Sequence, residues 1–402
     1  VREGQLHCLT CPLMFFWLVW SHTHLILFPP SHPFPLPTWV SPALAAGNTV
    51  VLQPSTVGTG ASAALLSVLV PKYLDRALVS LVGTGFARHK QPACTGYLLE
   101  PELLGKIIFT DRTHTQTRQL HGLAARHLVP CVYEVYSHHN PVYIDNSVED
   151  LDMAAKRVVW SCMCNAGQNR YAPKYVLCHQ DVVTHFIGLC QQWCEYMYGH
   201  DPEQSAQFGR IVNQRNLQAL ATVVKCTQEY ALAYGQDPSE EEESAYDRAN
   251  VRSDWSYGFC NIVCGGTYNA LGLSPQSTLE HRYYAPTVLH VSRDVPILDE
   301  DFDIEDAMGG SSADTSVGVC GPILSIVAVK DVHDAIAEMN GKRKTPLAMY
   351  IFSDNVETTR TVVAQTRAGG VTINSCLWYT KHPELSSSSN GQAPWRGRAS
   401  ME

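Results

Sequence analysis

Cysteines are the first residues in this chain whose chemistry demands an account. There are 14 in 402 residues. Cys8 and Cys11 form a CxxC pair, which is half of a zinc site. A structural zinc takes four ligands, and no second pair stands at the matching distance, so no metal is expected. Thiols scattered through a long chain fit a reduced, cytoplasmic setting better than a disulfide framework. The acidic run Glu240 to Glu243 lies beside Pro238 and is expected as a solvated loop rather than a paired-carboxylate site.

Composition sets the frame for these residues. Apolar residues make up 45% and charged residues 17% of the chain, a globular balance. The formal net charge is -9 and the 29 Lys and Arg residues do not cluster, which argues against a nucleic-acid partner. Leu13 to Trp20 and Leu25 to Phe28 are apolar runs separated by Ser21 to His24. A membrane span needs about 20 mostly apolar residues, so the break points to buried strands instead. No basic leader or small-residue cleavage site marks a signal peptide.

The elements that would position a site alternate between the two periodicities. Strands are expected at Asn48–Leu52, Lys106–Thr110, Val142–Asp145, Tyr175–Cys178, Thr287–Val291, Leu324–Val329, Leu347–Phe352 and Gly370–Ile373. Helices are expected at Ala61–Tyr73, Thr117–His127, Asp181–Tyr198, Asp331–Met339 and Asn355–Thr366, with a further one after Ser147. That helix should turn Leu151, Ala154, Ala155, Val158 and Val159 inward. Ser147, with Asp150 three residues on, reads as its cap. Alternating strands and helices imply α/β architecture with parallel sheets. Periodicity alone names no reaction.

Particular segments do. Pro42-Ala-Leu-Ala-Ala-Gly-Asn-Thr-Val-Val-Leu-Gln-Pro-Ser55 resembles the aldehyde dehydrogenase family, as does Asn165-Ala-Gly-Gln168 followed by Ala172-Pro173. Gly209-Arg-Ile-Val-Asn213, Ala285-Pro-Thr287 and Gly321-Pro-Ile-Leu324 fall in the family's order. Pro346-Leu-Ala348, Phe352-Ser353, Tyr73-Leu-Asp75 and His127-Leu-Val-Pro130 resemble its class 3, fatty-aldehyde branch. The resemblance implies a Rossmann-like cofactor domain, a second parallel α/β catalytic domain and a small bridging element for oligomers. The expected division is an irregular segment at 1–24 and a cofactor-binding-like domain at 25–132, shortened at its start. A catalytic-like domain follows at 133–368, with insertions near 237–282 and 309–316, and then a degenerate segment at 369–402. Class 3 members on membranes carry a hydrophobic C-terminal anchor. None is seen before Glu402, so a soluble protein without a membrane anchor is expected.

The family's reaction is oxidation of an aldehyde to an acid with NAD or NADP. A cysteine thiolate attacks the carbonyl, hydride passes to the nicotinamide, and a glutamate activates water. The resemblance implies a role for each matching position here. The nucleophilic cysteine belongs two residues after Asn165-Ala-Gly-Gln168, where this chain has Asn169 and then Arg170. A guanidinium is permanently protonated and cannot act as that nucleophile. Cys164 and Cys162 lie just upstream, either as a displaced nucleophile or as packing thiols. Glu134 matches the general base, but Tyr136 and Ser137 replace the glycines that follow it. Ser31 matches the oxyanion donor, normally an asparagine.

On the cofactor side, the ribose clamp is a Lys and a Glu around Pro-Ser. Here Gln53 and Thr56 flank Pro54-Ser55. Thr110, Asp111 and Arg112 replace Thr-Gly-Ser beside the phosphates, and Gln116 replaces a second glycine. Gly318, Val319 and Cys320 stand where a ribose-binding Glu and a Phe precede Gly321-Pro322. Backbone-shaping positions such as Gly47, Gly167, Pro173 and Gly321 persist, whereas positions that touch ligands have changed. A translated pseudogene would instead scatter change through core and site alike, although the irregular start, the insertions and the Ser-rich tail keep a pseudogene or faulty gene model as an open reading. The leading expectation is a degenerate class 3-like scaffold with aldehyde oxidation lost or strongly impaired. A residual enzyme using Cys164 or Cys162, and a non-catalytic dimer partner of an active relative, are the alternatives.

Overall fold

The computed structural model describes residues 23–27, 40–54, 60–82, 105–111, 121–122, 124–135, 139–234, 259–266, 282–293, 295–299, 321–342 and 345–377. The chain divides into two compact units with the boundary between Tyr136 and Ser137. Both are α/β, as the alternating pattern predicts.

The first unit is a parallel five-stranded sheet. Its strands are β1 (Thr23–Leu27), β2 (Thr49–Gln53), β3 (Val79–Leu81), β4 (Lys106–Asp111) and β5 (Cys131–Val135). Their spatial order is β3-β2-β1-β4-β5, the order of a Rossmann sheet, with the topological switch between β1 and β4. The apolar run at Leu25 therefore supplies the central strand, which bonds in parallel to β2 and β4. The run Leu13 to Trp20 lies outside the described residues. No described helix is long and apolar enough to cross a membrane.

The sheet's interior is built from period-two positions and flanking helices. Helices α1 (Ser41–Ala45) and α2 (Gly60–Tyr73) bring Ala43 and Val70 onto Val50, Leu52, Val79 and Ile108. Burying each large aliphatic side chain stabilises the unit by about 1.5–3 kcal/mol. Of the helix expected at Thr117–His127, residues 121–122 and 124–126 are helical. Ala124 is buried there, and residues 117–120 fall outside the described set.

The second unit is a seven-stranded sheet in the order β12-β11-β6-β7-β10-β9-β8. Its strands are β6 (Pro141–Ile144), β7 (Tyr175–His179), β8 (Cys260–Cys264), β9 (Thr287–Val291), β10 (Ile323–Val329), β11 (Met349–Phe352) and β12 (Val371–Ile373). All pairs are parallel except β8 with β9, which is antiparallel and carries a bulge between Ile262 and Cys264. Strands β6, β7, β9, β10 and β11 are buried along their whole lengths. That is the mark of a parallel sheet covered on both faces.

The covering helices are α3 (Leu151–Met163), α4 (Val183–Tyr198), α5 (Gln214–Tyr234), α6 (Val332–Gly341) and α7 (Val356–Gln365). Leu151, Ala154, Ala155, Val158 and Val159 of α3 are all buried, as their 3.6-residue spacing predicts. The start of α3 corrects the sequence reading: Asp150, not Ser147, is its N-cap, accepting a bond from the Met153 amide at 2.9 Å. Ser147 instead donates to buried Asp145 at 2.5 Å. In this unit α5 and β8 went unpredicted, as did α1, β3 and β5 in the first unit. Leu217, Leu220, Ala221 and Val224 of α5 are buried at helical spacing, a signal present in the sequence. In β8, Cys260 to Cys264 has no such regularity.

Candidate active site

Where the sequence places the reacting cysteine, the second unit holds a short, tightly pinned loop. It leaves α3 through Asn165, Ala166 and Gly167, at φ of 55°, 51° and 68°. Three successive left-handed residues turn the chain back under the sheet, toward the amino ends of β6, β7, β10 and β11. Gly167 is the one place on this loop that admits no side chain: a Cβ there would lie 1.9 Å from the Gly321 carbonyl oxygen. Gly321, a separate motif in the sequence, answers to a different neighbour: a Cβ there would lie 2.4 Å from the Leu220 side chain of α5.

The next residues are held through their backbones. The Gln168 amide donates to the Asn165 carbonyl at 3.0 Å and to the Arg210 carbonyl at 2.9 Å. Its oxygen accepts from the Val212 amide at 2.8 Å, which ties Asn165-Ala-Gly-Gln168 to Gly209-Arg-Ile-Val-Asn213. Asn140 is fully buried. It donates to the carbonyls of Arg170 (2.7 Å) and Ala172 (3.1 Å), and accepts from the Ala348 amide (3.0 Å). The Lys174 ammonium donates to the Gly167 carbonyl at 2.8 Å and to that of Gly321 at 3.4 Å. The Tyr350 hydroxyl reaches the Tyr171 carbonyl at 2.5 Å.

Arg170 sits half-buried in this lattice, its guanidinium 4.7 Å from the centre of the Tyr171 ring. Burial draws its pKa below the ordinary arginine value, and contact with Tyr171 opposes the shift. Arginine starts so far above neutrality that the charge persists. Cys162 is fully buried in α3, and its thiol donates to the Ile323 carbonyl at 3.5 Å. Burial pushes it up to about 11, with Lys174 pulling weakly the other way. Cys164 is half-buried, and burial raises its pKa too. A thiol in either setting is overwhelmingly protonated at neutral pH.

In the first unit, the remaining described positions gather at the carboxyl end of the sheet. Gln53 ends β2, Thr110 and Asp111 end β4, and Glu134 is the fourth residue of β5, in register with Thr110. β4 continues past Phe109, the partner of β1's last residue Leu27. Asp111 therefore lies at the rim of the switch-point crevice, where a Rossmann sheet receives a dinucleotide. These residues do not suit an anionic pyrophosphate. Gln53 is buried and neutral, and the residue that ends β4 is an aspartate, Asp111, in place of the family's glycine. Lys106 is buried at the opposite, amino end of β4. Ser31, Ser55, Thr56, Arg112, Gln116, Gly318 and Cys320 lie outside the described residues, as do Cys8 and Cys11.

Sequence reasoning missed three residues that organise this region: Asn140 as the hub, Lys174 as the bridge, and Arg210 as an anchor through its carbonyl. Asn140 had a signal, standing with Pro141 at the end of the stretch Tyr133-Glu-Val-Tyr-Ser-His-His-Asn-Pro141 that resembles the family's general-base segment. Lys174 had only its place between Pro173 and a strand.

Fold and loop together define a class. Residues 25–254 and 311–386 match the aldehyde dehydrogenase family, and the chain belongs to it. Its relatives include class 3 members. "Aldehyde dehydrogenase, dimeric NADP-preferring" of Rattus norvegicus is 29% identical over 364 residues, covering 90% of this chain and 65% of the relative. "Aldehyde dehydrogenase family 3 member B2" of Homo sapiens is 30% identical over 338 residues, covering 84% and 69%. Among solved structures, AldH of Staphylococcus aureus in its substrate-bound state superposes with a TM-score of 0.68 at 25% identity, covering 90% of this chain and 65% of that one. The chain thus spans about two thirds of the length of such relatives.

Proposed function

We propose that this chain is an aldehyde dehydrogenase scaffold whose NAD(P)-dependent oxidation of aldehydes is lost or strongly impaired. The observation that carries this reading is Arg170 at the nucleophile position of a loop whose register is fixed from both sides. Asn140 holds the carbonyls of residues 170 and 172, and Gln168 holds the turn before them. Sliding the chain to present another residue would break these bonds, at about 1 kcal/mol each net and more where a buried partner is stranded. Cys162 is committed to the core, and the half-buried Cys164 has a raised pKa. Without a thiolate to capture the carbonyl, hydride transfer has no oriented donor. The neutral Gln53 and the acidic Asp111 further support weak dinucleotide binding. The scattered thiols and the acidic net charge are consistent with a reduced, cytoplasmic location.

The test is an assay of purified full-length chain with aliphatic and aromatic aldehydes and either NAD or NADP, alongside a cofactor titration. The proposal expects no aldehyde-dependent NAD(P)H formation and millimolar or weaker cofactor binding. Turnover at an ordinary rate of about 1 per second or more would overturn it. If turnover appeared, its loss on mutating Cys164 or Cys162 would identify the residual nucleophile.

A second reading rests on the rat relative, whose name describes it as dimeric. In this reading the chain serves as a non-catalytic partner in a homo-dimer or in a hetero-dimer with an active relative. Sizing after co-expression with a class 3 enzyme tests it, and recovery of separate monomers would end it.

A further inference from the structure

The second unit carries a polar cleft that the family reaction does not use. We propose that this cleft, lined by His139, Lys342 and Arg367, binds a small phosphate-bearing anion.

The cleft opens where strands begin and helices end. Pro141 and Met349, the first residues of the neighbouring strands β6 and β11, give it an apolar side. Asn340 and Lys342 come from the end of α6, and Arg367 stands two residues beyond α7. The Asn340 side chain donates to the Gln365 carbonyl at 2.9 Å, which ties the two helix ends together. The cleft encloses about 260 Å³, open solvent included. That is below the roughly 300–1,000 Å³ of pockets for drug-sized ligands, so the occupant is small.

Charge decides its sign. Among the described residues that line the cleft none is a carboxylate. Lys342 is held in place: its ammonium lies 3.2 Å from the Glu338 carboxylate and donates to the Leu298 carbonyl at 3.3 Å. That leaves one of its three protons. Arg367 is exposed and makes no hydrogen bond or ion pair among the described residues. Its planar fork of donors matches two oxygens of a phosphate group. His139 is half-buried and adds an imidazole from the strand side.

Two cations at two helix C-termini are what the helix dipoles alone would select. Two further features point to a ligand. His139 belongs to neither helix, yet it faces the same cleft. The sequence after Lys342 continues Arg343-Lys344, outside the described residues, so three basic residues stand in a row in a chain of net charge -9. An anion held by His139 would also lie one residue from Asn140, the hub that holds the carbonyls of Arg170 and Ala172.

The experiment titrates the purified full-length chain with inorganic phosphate while sodium chloride holds the ionic strength constant. Thermal melts and the phosphorus NMR linewidth report binding. The expected result is a saturable rise in melting temperature that chloride does not give. Arg367→Ala should raise the half-saturating phosphate concentration roughly tenfold. Arg367→Lys, which keeps the charge and loses the fork, should fall between. Arg360→Ala is the control: that arginine lies on α7, exposed and paired with Glu357, and its loss should leave binding unchanged. Lys342 is spared, because its removal would strand Glu338. No phosphate-specific rise, or a rise that Arg367→Ala leaves intact, overturns the proposal and assigns these cations to the helix ends alone. Repeating the titration with glycerol 3-phosphate separates two sources of the same chemistry. Tighter binding makes the ligand a phosphate monoester, equal binding makes it free phosphate, and either upholds the site.

Discussion

Replacing Gly167 with alanine tests the central claim that the loop bearing Arg170 is sterically fixed. Two costs add. The residue sits at φ of 68°, and an alanine in the left-handed region costs roughly 1–2 kcal/mol. Its Cβ would also lie 1.9 Å from the Gly321 oxygen, 2.2 Å from the Gly321 carbon and 2.7 Å from the Pro322 nitrogen. All three are backbone atoms, so no rotamer change relieves the clash, and one loop must move by about 1 Å or more to restore contacts near 3.5 Å. That movement breaks the Lys174 bridge between Gly167 and Gly321 and strains the Gln168 bonds, at about 1 kcal/mol per bond. The sum is on the order of 4–5 kcal/mol, a large part of a typical domain's stability. Gly199→Ala in the same unit is the control: its φ is 78°, but nothing lies within 4 Å of the added Cβ, so only the conformational cost applies. Urea denaturation followed by tryptophan fluorescence should give G167A a loss at least about 2 kcal/mol greater than G199A. Equal losses would mean the loop yields easily, and the argument that residue 170 is locked in place would fail.

Other consequences are open to measurement. Asn140→Ala strands the Ala348 amide and the carbonyls of Arg170 and Ala172 in a buried setting, so it should cost about 3 kcal/mol; a change below 1 kcal/mol in urea melts would contradict its role as hub. Arg293 grips Asp334 with two bonds of 2.7 and 2.5 Å, and this contact lowers the Asp334 pKa. A carboxylate with a lowered folded pKa adds stability that is present at neutral pH and lost as pH falls through the folded value. Asp334→Asn should therefore lower stability by about 1 kcal/mol at pH 7, and the gap between variant and wild-type melts should shrink as the solution is made more acid than the ordinary carboxylate range. His290 has the opposite chemistry: burial lowers its pKa to about 4. Between that value and about 6.5 the unfolded chain binds the proton that the folded chain refuses, so stability falls as pH drops through this window. His290→Gln should remove this slope, worth on the order of 2 kcal/mol, in melts taken from pH 7 to pH 4.

What the sequence made legible depended on how locally each feature is encoded. The buried strands β7, β9 and β10 and the face of α3 announce themselves, because continuous apolar runs and 3.6-residue spacing have few other meanings. Gly167 and Gly321 also stood out, although their reasons, the approach of Gly167 to the Gly321 carbonyl and of Gly321 to Leu220, are visible only in three dimensions. Ser147 misled because a serine three residues before an acid imitates a capping box. Its hydroxyl was drawn away by Asp145, a buried carboxylate that needs donors and also takes the hydroxyls of Tyr143 and Ser353. β8 was illegible because an edge strand that is only half covered need not alternate. Asn140 and Lys174 act through backbone carbonyls, and no pattern of side-chain types reports on a bond to a carbonyl.

That last point describes how the fold persists under the proposed loss of its reaction. The bonds from outside that fix the loop at residue 170 read the chain's backbone: Asn140 takes the carbonyls of 170 and 172, Lys174 that of 167, and Tyr350 that of 171. None depends on which side chain residue 170 carries. Under the proposed reading, exchange of a thiol for a guanidinium there leaves these backbone bonds in place and adds the contact of the guanidinium with Tyr171. The same logic predicts the outcome of reversing it. Arg170→Cys should fold with stability within about 1 kcal/mol of the parent, since the backbone bonds stay in place and the chief loss is the contact with the Tyr171 ring. Its new thiol, at a half-buried position, should react with iodoacetamide faster than the buried Cys162. It should nevertheless yield no aldehyde-dependent NAD(P)H, because Gln53, Asp111 and the bulky residues after Glu134 remain. Recovery of ordinary turnover by this single change would mean that the cofactor crevice is intact and that Arg170 alone silences the enzyme.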